Sequence, residues 1–368
     1  MNELLLDELF RLSRATIKAL NYKNKTIIDV NEDMLVEAKE LLSKGSKVYT
    51  LGVKNSVQIN RMFIKRLIDS KKYLWHTIDS MAVGGRAVDM NILNPITGKI
   101  MTGSSSCTAI NVLYGINDLG IGTDGGGSVL APALSLNLYS IMAKGMGLKG
   151  LSNRVSTDGI SFVPGIGVIS HYLEKAEAAV KEMAEIKCKK GSINDINIAI
   201  CKKGNITLPD GSDMREKLNL VYDRLNKLGV SVSEEEFPDF TQREISIIRV
   251  KELLKKYNIL ITYEGPIDLL GMGDSVFGGF GDLASRIQGL GGKYMVKIAN
   301  MINATAVTLP SSEISSGIVI TSREGIDEGL TAIEIAKSLS DLYKLPELYY
   351  RYFKDSYKRK QENLIFSL

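Results

Sequence analysis

Three clusters of polar residues lie in stretches of sequence that are otherwise apolar. Gly122–Ser128, GTDGGGS, is a run of backbone N–H groups with few side chains to obstruct them. Such a loop can fold into a concave nest that binds an anion. If Ser128 is a nucleophile, the same N–H groups can receive the oxyanion its attack creates, and one such donor is worth roughly 3–4 kcal/mol. Taken alone, a Gly-rich turn ending in an ordinary serine explains the loop equally well. The second cluster is Thr102–Cys107, TGSSSC. Three consecutive serines in a nearly charge-free segment must find partners, because burying an unpaired hydroxyl costs on the order of 1–3 kcal/mol. The everyday use of such serines is a turn or a helix N-cap. The third is Lys54, which follows the β-forming run KVYTLGV, Lys47–Val53. A lysine leaving an apolar strand is ordinarily solvated. Buried, it loses charge to desolvation and becomes a general base.

Composition restricts the rest of the chemistry. The chain has 368 residues but only two histidines, His76 and His171, so a Ser-His-Asp site would have to use one of them. Three cysteines, Cys107, Cys188 and Cys201, are too few and too scattered for a disulfide framework or a zinc site and read as free thiols. The sequence calls for no metal and no cofactor. Gly120–Gly125 matches GxGxxG, but no helix pattern follows it and the next acid after Asp124 is Asp158. A dinucleotide site needs the helix at once and an acid about 20 residues on. The Walker pattern is absent. A net charge of +4 from 46 basic and 42 acidic residues argues against nucleic acid. The N-terminal MNELLLDELFRLSRATIKAL lacks the features of a signal peptide, and no window reads as a membrane span. A cytoplasmic protein with no membrane partner is expected.

The elements that must position these clusters alternate between helix and strand. Helical patterns cover Glu3–Leu20, Glu32–Ser43, Asn60–Asp69, Tyr172–Lys187 and Met214–Leu228. Strand patterns cover Ile196–Cys201, Ser231–Glu236 (an edge strand), Asn258–Tyr263, Thr305–Pro310 and Ser316–Ser322. From Ile100 to Ala143 the only charges are Asp118 and Asp124, which suits the buried centre of an α/β sheet. Gly271–Gly292 holds eight glycines in 22 residues and reads as a long functional or mobile loop. The expected organisation is a single α/β domain over 1–368, with a mixed central β-sheet covered by helices on both faces. N-terminal helices occupy 1–45 and a basic helical tail 341–368. The basic, aromatic stretch Tyr349–Lys360 reads as a solvated or oligomer-contacting helix, consistent with a homodimer.

GSSSCTAINVLYGINDLGIGTDGGGSVLAP, followed by KGMGLKG, resembles the motif of the amidase signature family, GGSSGG…GTDxGGSxRxPA…GxxGLKP. The two serines Ser104 and Ser128 are 24 positions apart, as in that family. RVSTDG at Arg154–Gly159 is similar to its GRVSxxG, Asn258–Pro266 to its DxLLTPxxP strand, and Asn300–Pro310 to its NxxGxPxxxxP. LGVKN is similar to the GVKD that carries the family's lysine. The resemblance covers roughly residues 45–340 and implies an amidase-signature-like fold. It also implies that Ser128 is the acyl-accepting nucleophile, Ser104 the bridging serine with a cis peptide bond, and Lys54 the base. By the same resemblance Gly125, Gly126, Gly127 and the N–H of Ser128 form the oxyanion hole. Ser105, Thr123 and Asp124 support the loop, with Asp124 structural rather than an acid catalyst. Cys107 occupies a family glycine position and is assigned to packing.

The chain also departs from the pattern. Ser106-Cys107 stands where the family has Gly-Gly, which leaves Ser105 and Ser106 as alternatives for the bridging role. Leu130 replaces the Arg two residues after the nucleophile and removes a carboxylate anchor at that position. GLKG, Gly147–Gly150, lies further on than usual and lacks the final Pro. Only 50 positions separate Lys54 from Ser104, fewer than the family has. The leading function is hydrolysis of a carboxamide C–N bond of a small-molecule amide through an acyl-Ser128 intermediate. The alternatives are a glutamine-dependent amidotransferase subunit and a non-catalytic ligand-binding relative. Pocket-lining residues are expected from Gly271–Gly292, Thr77–Gly85 and the neighbourhood of Phe162.

Overall fold

The computed structural model describes residues 3–354 apart from residue 188. Most strands join one 11-stranded mixed sheet, whose edges are Ile27–Val30 and Ser231–Glu235. Between those edges the order is Tyr73–Asp79, Tyr49–Lys54, Leu119–Asp124, Gly165–Ser170, Tyr139–Met142, Thr305–Pro310, Gly317–Ser322, Ile259–Glu264 and Asn197–Cys201. Pairing is parallel for Tyr49–Lys54 with both of its neighbours and for Asn197–Cys201 with both of its own. It is antiparallel through the middle of the sheet. The expected edge strand, Ser231–Glu235, is at the edge, and its half-buried and exposed residues contrast with the fully buried Ile259–Glu264.

The core lies on both faces of this sheet. Leu51, Val53, Leu119 and Ile121 pack in one cluster with Phe63 and Leu67 of the helix Arg61–Asp69 and with Leu173 and Val180 of the helix Leu173–Met183. On the other face Ala109, Ile110 and Leu113 of the helix Ser106–Leu113 pack with Val129, Ala133 and Ile169. The alternation along Leu119–Asp124 follows from the period of two along a strand. Its second set of positions is Gly120 and Gly122, and a Cβ on Gly120 would come within 2.5 Å of Thr108 Cγ2. Without that atom the helix Ser106–Leu113 seats directly on the strand. This brings the serine cluster against the residues that follow Ile121.

Several elements differ from the sequence reading. Gly271–Gly292 is not a structureless loop, because it contains the short helices Ser275–Gly278 and Asp282–Gly289. Asp274 caps the first, accepting from Val276 N–H at 3.2 Å, so the glycine content concealed a local helix signal. Met214–Leu228 is two helices, Met214–Lys217 and Asn219–Lys227, that meet at Leu218. The helix Arg243–Lys256 and the strands Tyr73–Asp79 and Gly165–Ser170 were not anticipated. Of the C-terminal tail, the part beyond residue 354 lies outside the described residues.

Candidate active site

The strands Tyr49–Lys54 and Leu119–Asp124 run parallel, with Val53 opposite Ile121. Lys54, Thr123 and Asp124 therefore leave the sheet at the same edge, beyond the carboxyl ends of adjacent parallel strands. Open α/β sheets place ligand sites in that position. Between them enters the turn Gly103–Ser105. Gly103 takes φ +69°, and a Cβ there would lie 2.4 Å from the Pro132 ring. Only glycine fits both the left-handed conformation and the close approach.

Lys54 is buried, with 2% of its surface exposed. Its Nζ lies 2.7 Å from Ser104 Oγ, 2.8 Å from Thr123 Oγ1 and 3.5 Å from the Thr123 carbonyl. No carboxylate among the described residues is within ion-pairing distance, and burial pulls the amine down to about 7, an effect that the charge of Asp124 opposes. Burial therefore favours the neutral amine, held in contact with a hydroxyl. Ser128 Oγ accepts from the N–H of Ser104 at 3.2 Å, and Ser105 N–H donates to the Ser128 carbonyl at 3.2 Å. The two serine hydroxyls do not bond to each other; Ser128 meets the backbone of Ser104. Among the described residues the one cis peptide bond is Gly265–Pro266, so the cis bond implied for Ser104 is absent.

Asp124 organises the glycine loop. Its carboxylate accepts from Gly127 N–H and Val129 N–H at 2.7 Å each and from Leu130 N–H at 3.2 Å. This corrects the sequence reading at one residue, because the Gly127 N–H is turned into Asp124 and is not available for an oxyanion. The N–H groups of Gly125, Gly126 and Ser128 have no acceptor among the described residues. Asn300 holds the loop from the other side, donating to the Gly125 carbonyl at 3.0 Å. Of the three serines, Ser104 alone touches Lys54. Ser105 Oγ lies 3.4 Å from the Thr123 carbonyl, and Ser106 Oγ donates to Asp89 at 2.6 Å. Cys107 is buried behind them, and burial pushes its thiol up to about 12, with Asp89 adding to the effect.

Lys54, Ser104, Thr123, Gly125, Gly126 and Ser128 share the wall of a cavity of about 710 Å³. Met81, Gly84 and Gly85, Phe162, and residues of 273–293 line it as well, so all three expected segments contribute. Neither histidine lines it. Sequence reasoning placed Asn300 at the head of a motif without seeing it as a loop anchor, and missed Arg243 and Lys297 as lining cations. The positions of these two cations in the chain carry no spacing signal, since they arrive through the fold. A separate hollow of about 590 Å³ beside the N-terminal helix shares no lining residue with this cavity.

No family model and no curated protein sequence matches the chain. Solved structures do. A crystal structure of an amidase superposes with a TM-score of 0.61 at 15% identity, covering 88% of this chain and 94% of that one. The fold is that of the amidase signature enzymes. 6-Aminohexanoate cyclic dimer hydrolase gives a TM-score of 0.60 at 12% identity, with 94% and 95% covered. Allophanate hydrolase from Kluyveromyces lactis gives 0.59 at 17% identity, with 86% and 67% covered. The amidase signature fold accounts for the long mixed sheet. Among the described residues no helix is long and apolar enough to cross a membrane.

Proposed function

We propose that the chain is a hydrolase of the C–N bond of a small-molecule carboxamide, working through an acyl-Ser128 intermediate. The observation that carries this reading is the buried Lys54 amine 2.7 Å from Ser104, whose own N–H holds the Ser128 hydroxyl in the cavity. The amide hydrolases that share the fold support it.

In this reading neutral Lys54 takes the proton of Ser104 Oγ as Ser104 Oγ takes that of Ser128, and Ser128 Oγ bonds to the carbonyl carbon. The hydroxyl of Ser128 reaches that of Ser104 by leaving the N–H of the same residue. The oxyanion is met by the N–H groups of Gly125, Gly126 and Ser128, with Gly127 fixed in the Asp124 carboxylate as the hinge of the loop. Collapse breaks the C–N bond, and the proton on Lys54 returns through Ser104 to the leaving nitrogen. Water then attacks the acyl-serine, loses its proton along the same path and regenerates Ser128. Thr123 Oγ1 orients the lysine throughout.

The test is covalent trapping. A fluorophosphonate is expected to modify Ser128, located by peptide mass, and Lys54→Ala is expected to abolish the adduct. A folded protein that gives no adduct, or an adduct that persists at full rate in Lys54→Ala, would overturn the assignment.

A further inference from the structure

The cavity carries more positive charge than its acids neutralise. Five cations line it besides Lys54: Arg86, Arg154, Arg243, Lys293 and Lys297. Three have carboxylate partners. Arg86 pairs with Asp274, Lys293 with Asp268 at 2.6 Å, and Arg243 with Asp158 at 2.8 and 2.9 Å. Arg154 and Lys297 have no carboxylate within ion-pairing distance among the described residues. Lys297 Nζ donates to the Phe240 carbonyl at 3.1 Å, and burial draws it down to about 8 against the pull of Glu264, with Lys293 and Arg243 adding repulsion. It is a half-buried cation beside other cations.

The paired Arg243 is also incompletely used. Asp158 occupies Nε and Nη2, which leaves Nη1 without an acceptor among the described residues, and Nη1 lies 3.0 Å from the point where a Cβ of Gly126 would sit. Gly126 is two residues from Ser128, at most about 7 Å along the chain. A guanidinium nitrogen with two spare N–H bonds and an ammonium group lining the same cavity can both donate to a carboxylate.

We propose that the cavity binds a carboxylate carried by the substrate a few bonds from its scissile carbonyl, anchored by Arg243 Nη1 and Lys297. This rests on the amide-hydrolase reading for its substrate, but its test does not depend on turnover. Succinamate, and its neutral isostere succinamide, are titrated calorimetrically into the full chain carrying Ser128→Ala. Succinamate is expected to bind about 10- to 100-fold tighter, the value of one or two hydrogen bonds to a charged group. Adding Arg243→Gln or Lys297→Met is expected to bring that ratio toward one while the succinamide affinity stays within about threefold. The ratio, unlike either affinity alone, is insensitive to a general loosening of the fold. A ratio near one in the parent protein, no binding of either compound up to about 100 mM, or a ratio that survives both substitutions overturns the proposal. If Ser128 is labelled by fluorophosphonate and the ratio is one, the anion site alone fails. If the ratio holds and Ser128 is never labelled, the anion site stands and the hydrolase assignment falls.

Discussion

Lys54→Met is expected to make the protein more stable as it makes it inactive, with a pH dependence that reports the lysine directly. In the folded chain the amine titrates at about 7, against an ordinary 10.5. Between those values the unfolded state holds a proton that the folded state has released, so the unfolded state binds more protons and stability rises with pH. The slope is about 1.4 kcal/mol per pH unit, and the full span of about 3.5 units corresponds to roughly 5 kcal/mol. Below pH 7 both states are protonated, and the wild type carries the whole cost of a buried ammonium. The two hydrogen bonds to Ser104 and Thr123 offset part of that cost. Methionine has similar length and no charge, so the term vanishes in the variant. The assay is urea denaturation of both proteins at pH 6, 7, 8, 9 and 10, taking the difference in unfolding free energy so that all other titrations cancel. The expected result is a variant more stable by a few kcal/mol at pH 6 and a difference that closes steadily above pH 7. The rate of Ser128 labelling in the wild type should rise through the same pH as the free amine accumulates. Two parallel stability profiles would refute the reasoning, since they would mean that Lys54 keeps an ordinary proton affinity in the fold.

Two other outcomes follow from the site. Asp124→Ala leaves the N–H groups of Gly127, Val129 and Leu130 without their acceptor and should cost roughly 3 kcal/mol or more by denaturation. It should also abolish Ser128 labelling, because the glycine loop loses its clamp. Cys107→Ala should retain Ser128 labelling within about threefold, and iodoacetamide should leave Cys107 unmodified in the native wild type by peptide mass, as a buried thiol held at about 12 has almost no thiolate.

The fold class, and the segments that the structure gathers round Lys54, were legible because each rests on short-range order. A run of 44 residues with only two charges suits the centre of a sheet, and Lys54 followed a strand pattern that ends where the strand ends. Asp124 was legible as structural because one acid in a glycine loop has its own backbone as nearest partner. The use of Gly127 was not, since which N–H faces Asp124 depends on the turn of the loop. Its φ of +101° and the Val296 carbonyl 3.2 Å from a Cβ there belong to packing against a segment 169 positions away. The cations of the cavity were hidden for the same reason. Arg243 opens a helix whose hydrophobic pattern is weak and reaches the glycine loop from 117 positions further along the chain.

The substitution of Ser106-Cys107 for two glycines put the site most in doubt at the level of sequence, and the structure supplies a compensation. Glycines there allow a flexible approach to the helix that follows; Ser106 and Cys107 instead begin that helix, Ser106–Leu113, and must be buried. A buried hydroxyl at this point needs an acceptor. Asp89 provides it at 2.6 Å from the strand Val88–Leu93, which pairs antiparallel with Ile100–Thr102 just before the serines. The polar side chain thus ties the start of the helix to the hairpin that delivers it. Gly103, between hairpin and helix, keeps the one left-handed turn that points Ser104 at Lys54. The two changes therefore act on the side of the turn away from the lysine. They alter how the turn is held, through Asp89 in place of backbone freedom, and leave the contact between Ser104 and Lys54 at 2.7 Å.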